Sequence, residues 1–113
     1  MEANQDKIII ITGSNKGVGF GITEGLCQKN FKIIMAVRNV NLGQESADIL
    51  TKKYGLPDGK LVVMQCDISN GESIKAFFSA FKEQFGYCDI LLNNAGMAYK
   101  GSIFNKDVVT ETF

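Results

Sequence analysis

The sequence contains no histidine, and its three cysteines, Cys27, Cys66 and Cys88, lie far apart without a CxxC pair. Together these scarcities argue against a metal centre. An odd, scattered set of thiols also argues against a disulfide framework. It reads as small buried residues in a reducing compartment, with the cytoplasm as the expected location. Neither sign of charge is in excess, since twelve basic residues balance twelve acidic ones. A neutral chain offers no bulk attraction for nucleic acid or an anionic membrane. No apolar run approaches the length of a bilayer span. The stretch 1–6 is polar, and the first apolar run holds four isoleucines, too few for a secretion signal. Repeats, low-complexity tracts and Pro/Gly/Ser linkers are missing too, and 113 residues make one domain at most.

What is present is alternation. Apolar runs at Lys7–Thr12, 32–37, 60–66 and Cys88–Asn93 predict strands. Between them, residues 17–29, 39–53 and the stretch opening at Ser69-Asn70-Gly71-Glu72 predict helices. In the first helix Val18, Ile22 and Leu26 share a face, with Asn30 at its C-terminal turn. In the second, Leu42, Ile49 and Leu50 point inward and Gly55 is the stop. Pro57-Asp58-Gly59 is a turn. Ser69 and Glu72 match a capping box. Ile74, Phe77, Phe78, Phe81 and Phe85 then form one helical stripe that Gly86 ends, and such a stripe is a core face far more often than a ligand box. A loop over 94–102 and a further helix from Asn105 complete the pattern.

The strands are apolar at consecutive positions, as expected of strands buried on both faces. Strands alternating with helices imply an α/β fold with a doubly wound parallel sheet and right-handed crossovers. The predicted strand order is 3-2-1-4, with the first two helices on one face and the Phe-rich helix on the other. Strand order reverses between the first and fourth strands, so a crevice belongs at their C-terminal ends.

Each strand end carries a residue suited to that crevice. After the first strand comes Thr12-Gly13-Ser14-Asn15-Lys16-Gly17-Val18-Gly19. Strand, glycine-rich turn and helix together bind dinucleotides in α/β proteins. Gly13 permits the tight exit, Gly17 lets backbone approach a pyrophosphate, and Gly19 lets the helix close on the sheet. The amides opening the helix favour phosphate. After the second strand comes Arg38, where an acidic residue would accept from a ribose 2′-hydroxyl and select NAD. Arginine there pairs with a 2′-phosphate and selects NADP, and Lys16 adds a second cation. Asp67 follows the third strand and can accept from an adenine amino group, with Ile68 against the ring. Asp67 is equally able to cap a helix, although Ser69 already suits that place. After the fourth strand, Asn93-Asn94-Ala95-Gly96 allows close backbone approach to a ribose and, taken alone, is as readily an Asn–Gly-type turn.

In combination, TGSNKGVG, Arg38, CDIS and NNAG resemble the short-chain dehydrogenase/reductase family. TGSNKGVGF, VRN and NNAGMAYKG look like its NADPH-dependent carbonyl reductase branch. The resemblance implies a Rossmann-like fold and NADP(H) as cofactor. It places Gly13, Gly17 and Gly19 along the pyrophosphate, counts Ser14 and Val18 of the same turn as cofactor-binding, and sets Asn15, Lys16 and Arg38 at the 2′-phosphate end. It puts Asp67 and Ile68 at adenine, Asn94 and Gly96 beneath the nicotinamide ribose, and makes Thr12 and Asn93 ties between strands. Leu42 stands where relatives often carry a second arginine.

The family's proton donor is a Tyr with a Lys four residues on. Here Tyr54 is followed at that spacing by Asp58, Tyr87 by Leu91 and Tyr99 by Ile103. The expectation is therefore an incomplete sheet of about four strands without the catalytic half and without turnover alone. Carbonyl substrates (ketones, aldehydes or quinones) are expected only for a longer chain. The alternative is a truncated, non-catalytic NADP(H)-binding or interaction module. In either case the fourth strand would present an open apolar edge, and the chain alone is expected to associate with itself or a partner through it, or to be marginally stable.

Overall fold

A computed structural model describes residues 7–93 and the backbone of 104–112. The strands are β1 (Lys7–Thr12), β2 (Phe31–Val37), β3 (Leu61–Gln65), β4 (Cys88–Asn93) and β5 (Phe104–Thr112). The helices are α1 (Gly17–Leu26), α2 (Val40–Tyr54) and α3 (Gly71–Phe85). All pairings are parallel, in the order β3-β2-β1-β4-β5. The predicted 3-2-1-4 order is therefore present, in a Rossmann-like α/β sheet.

The isoleucine run explains why β1 is central. Ile9 and Ile11 enter one apolar cluster with Ile33, Met35, Val37, Cys27 just past the end of α1 and Leu50 of α2. Ile10 enters the other, with Ile34, Leu91, Phe77, Phe78 and Phe81. Successive side chains leave a strand on opposite faces, so an unbroken apolar strand feeds two cores. The Phe stripe of α3 packs as expected, with Phe77 edge-on to Phe78 at 4.8 Å between ring centroids.

Several local expectations are corrected. On α1 the buried residues are Gly19 and Thr23, followed by Cys27 at its end, while Val18 is 65% exposed. On α2 they are Gly43, Ser46, Ala47 and Leu50, whereas Leu42 and Ile49 are exposed. In both cases small residues set the line of closest approach to the sheet; Ile22, Leu26 and Leu50 pack on the core as expected, while Val18, Leu42 and Ile49 are displaced outward. The cap of α3 is Asn70, whose Oδ1 accepts from the amides of Glu72 and Ser73 at 2.9 and 3.2 Å. Ser69 does not cap it, because its hydroxyl donates instead to Asp67 Oδ1 at 2.6 Å.

Residues from Asn105 form part of a strand, not a helix. The run Val108-Val109-Thr110 is β-branched and favours extended backbone. Pairing with β4 also occupies the edge that was expected to stay open.

Candidate functional site

Three strand ends meet at one side of the sheet, and backbone bonds align them. The Gly13 amide donates to Ala36 O at 3.0 Å, and the Cys66 amide to Val37 O at 2.7 Å. Thr12 Oγ1 lies 3.4 Å from Asn93 Oδ1, tying β1 to β4 as the sequence suggested. A cleft of about 390 Å³ opens over these ends. Of the residues singled out in the sequence, Gly13, Asn15, Lys16, Arg38, Asp67 and Ile68 line it together. Ala36, Asn39, Leu42, Cys66 and Ser69 line it as well.

The glycine turn takes its shape from two left-handed residues. Gly13 and Gly17 both have φ of 61°, a region side chains disfavour. At Gly17 an added Cβ would meet nothing within 4 Å, so the space beside the turn is open. Lys16 is the extended N-cap residue of α1, and no side chain caps the helix start. The first turn of α1 also carries no acidic residue. Its unsatisfied amides and positive dipole end are therefore left for an anion. Gly17 and the exposed Val18 open the helix, with Gly19 buried against the sheet.

Ser14 is fully buried, and among the described residues its Oγ has no hydrogen-bond partner. An unpaired buried hydroxyl is unfavourable, and marks a place where a polar partner belongs. Asn15 is held from outside the turn, since Ser46 Oγ on α2 donates to its carbonyl at 2.9 Å. Asn39, next to Arg38, caps α2 by accepting from the Leu42 amide at 3.1 Å.

Asp67 is held by its neighbours. Its Oδ1 accepts from both the Ser69 hydroxyl and the Ser69 amide, the latter at 3.0 Å. The Ser69 hydroxyl and then its amide hold the carboxyl below its ordinary value against the opposing effect of burial, with a smaller contribution from the positive charge of Arg38. Both bonds land on Oδ1, which leaves Oδ2 for a ligand's donor. The Asp67 amide donates to Ser73 Oγ at 2.8 Å, fixing this strand end to α3. Burial pushes the Cys66 thiol, at the base of the cleft, up to about 11. Asn94 and Gly96 lie outside the described residues.

Sequence reasoning missed Ser46 and Asn39. The signal for Ser46 was its place in the small-residue stripe Gly43–Ser46–Ala47. For Asn39 it was the side-chain acceptor just before a helix.

The profile of the family described as short chain dehydrogenase matches residues 7–113. This chain belongs to the short-chain dehydrogenase family. Among relatives, (+)-neomenthol dehydrogenase of Arabidopsis thaliana is 33% identical over 97 residues, covering 86% of this chain and 33% of that protein. Carbonyl reductase [NADPH] 1 of Mus musculus is 36% identical over 94 residues, covering 82% and 32%. In structure, the chain is similar to L-sorbose reductase from Gluconobacter frateurii complexed with NADPH and L-sorbose. The TM-score is 0.70 at 31% identity, over 88% of this chain and 36% of that one. The chain thus spans about a third of the length of the short-chain dehydrogenases it matches. The described residues contain no helix long and apolar enough to cross a membrane, and no carboxylate–thiol group arranged to hold a metal ion.

Proposed function

We propose that these 113 residues are the NADP(H)-binding portion of a carbonyl-reducing short-chain dehydrogenase. One observation carries this reading: Lys16 and Arg38, from separate elements, line one cleft beside an uncapped helix start and Asp67. The donor set fits the coenzyme. The opening amides of α1, with Gly13 and Gly17 clearing space, suit the pyrophosphate. Lys16 and the guanidinium of Arg38 suit a 2′-phosphate, with Asn15 beside them. Asp67 Oδ2 suits the adenine amino group, and Ile68, 36% exposed at the rim, supplies an apolar face for the ring. Asn94 and Gly96 are proposed beneath the nicotinamide ribose. The NADPH in the L-sorbose reductase complex and in the name of the mouse carbonyl reductase supports the same choice.

When bound, NADP(H) supplies the hydride. The residues here bind and orient it, and no Tyr-x-x-x-Lys stands among them to move the proton. Turnover of ketones, aldehydes or quinones is accordingly proposed to need residues beyond these 113, and the chain alone to be inactive. A cytoplasmic location belongs to the same reading. Self-association is proposed along β5, the outermost strand among the described residues.

The test is a fluorescence titration of the 113-residue chain with NADPH and NADH, for wild type and Arg38→Asp. Wild type should prefer NADPH, and the variant should lose at least about tenfold in NADPH affinity, since a charge-assisted pair becomes a repulsion. NADH affinity should be unchanged or improved. A preference that survives Arg38→Asp would reject the assignment.

A further inference from the structure

We infer that Ser46 is a positioning residue that sets how strongly the cleft discriminates for a 2′-phosphate. The inference rests on the coenzyme reading above and deepens it. The two cations of the cleft sit on different elements, Lys16 at the start of α1 and Arg38 after β2. Something must fix the distance between them, and α2 touches both neighbourhoods.

At one contact, Gly43 of α2 lies so close to β2 that an added Cβ would stand 2.6 Å from Val37 Cγ2. Val37 immediately precedes Arg38. At the other contact, one helical step along the same face, Ser46 Oγ donates to Asn15 O at 2.9 Å. Asn15 immediately precedes Lys16. The peptide joining Asn15 to Lys16 is a rigid plane, so pinning its carbonyl also fixes its amide and the start of Lys16. The start of α1 holds Lys16 only on its far side, where its carbonyl accepts from the Phe20 amide at 3.2 Å, and no side chain caps the helix. Ser46 is only 9% exposed, so its hydroxyl is committed to this bond instead of to water. α2 therefore acts as a spacer, seated on the strand that leads to Arg38 and bonded to the turn that leads to Lys16. Deleting the hydroxyl frees the Asn15–Lys16 peptide while leaving the α1 amides, held by their own helix, in place.

The test compares two probes without nicotinamide, 2′,5′-ADP and ADP, by calorimetry on the full 113-residue chain. Ser46→Ala should weaken 2′,5′-ADP by about 3- to 10-fold, the size of one hydrogen bond, and ADP by less than about twofold. Ser46→Thr keeps the donor and should retain the wild-type ratio between the probes. An unchanged 2′,5′-ADP affinity in Ser46→Ala overturns the inference. So does an equal loss on both probes, which would mark Ser46 as general scaffolding, or a threonine variant with the alanine's ratio. A wild-type chain that binds 2′,5′-ADP no better than ADP overturns the coenzyme reading along with it.

Discussion

Replacing Gly43 with alanine should destabilise the chain, although alanine is the better helix former. The methyl would stand 2.6 Å from Val37 Cγ2 and 3.0 Å from Val63 Cγ1. Carbon atoms pack best at about 3.5–4.0 Å, so helix and sheet would have to part by roughly 1 Å there. Neither valine can turn aside easily. Both are β-branched, both lie in paired strands, and Val37 is 1% exposed. Overpacking of this kind costs about 1–3 kcal/mol, and a contact this short against stiff partners belongs in the upper half of that range. The gain in helix propensity offsets about 1 kcal/mol, leaving a net loss of about 1–2 kcal/mol. Urea unfolding followed by circular dichroism should show a lower midpoint at unchanged slope. Gly25→Ala in α1 is the internal control, because an added Cβ there meets nothing within 4 Å. It should stabilise by about 0.5–1 kcal/mol. If Gly43→Ala raised the midpoint as Gly25→Ala does, the close approach of α2 to the sheet would be refuted.

Other expectations follow from the strand ends and the thiols. Asn70→Ala should lower stability by about 0.5–2 kcal/mol through the lost cap, with Ser69→Ala costing distinctly less; the reverse order in urea midpoints would return the cap to Ser69. The folded-state carboxyl of Asp67 lies below its unfolded value. Its favourable contribution is therefore present above about pH 3.9 and is lost as pH falls through the folded value. Ser69→Ala should move that titration upward, and an unmoved midpoint in carboxyl-carbon NMR would contradict the assigned cause. Burial pushes the Cys88 thiol up to about 12 and Cys66 to about 11. Both should resist iodoacetamide at pH 8 until the chain is unfolded, and rapid labelling of the native chain would count against their burial.

The sheet was legible because β1, β2 and β4 are continuous apolar runs, and only a strand buried on both faces can use them. The cleft was legible because Gly13, Lys16, Arg38 and Asp67 each directly follow or closely trail a strand, and parallel strands carry their C-terminal ends to one side. The face of α3 was legible, but those of α1 and α2 were legible only in part: Ile22, Leu26 and Leu50 do pack on the core. Val18, Leu42 and Ile49 satisfy a periodicity of large apolar residues, but contact with a flat sheet selects the smallest side chains, and those carry little hydrophobic signal. The Ser46–Asn15 bond joins residues 31 apart, and no local pattern announces it. At Ser69, local spacing fitted a capping box, yet the carboxylate of Asp67 competed for the hydroxyl and won. Beyond β4, the β-branched run Val108-Val109-Thr110 and the pairing offered by the edge of β4 outweighed the helix expected from alternation alone.

The division of the interior by the sheet bears on how such a chain can change over time. Ile9 and Ile10 are adjacent in sequence but lie in separate apolar compartments, one roofed by α1 and α2 and the other by the phenylalanines of α3. The compartments are not equally remote from the cleft: Ala36 and Cys66 belong to the phenylalanine side yet line it, and Ser73 of α3 holds the Asp67 strand end. A volume altered deep under α3 is therefore felt at the adenine end of the cleft, whereas the glycine turn rests on the other layer.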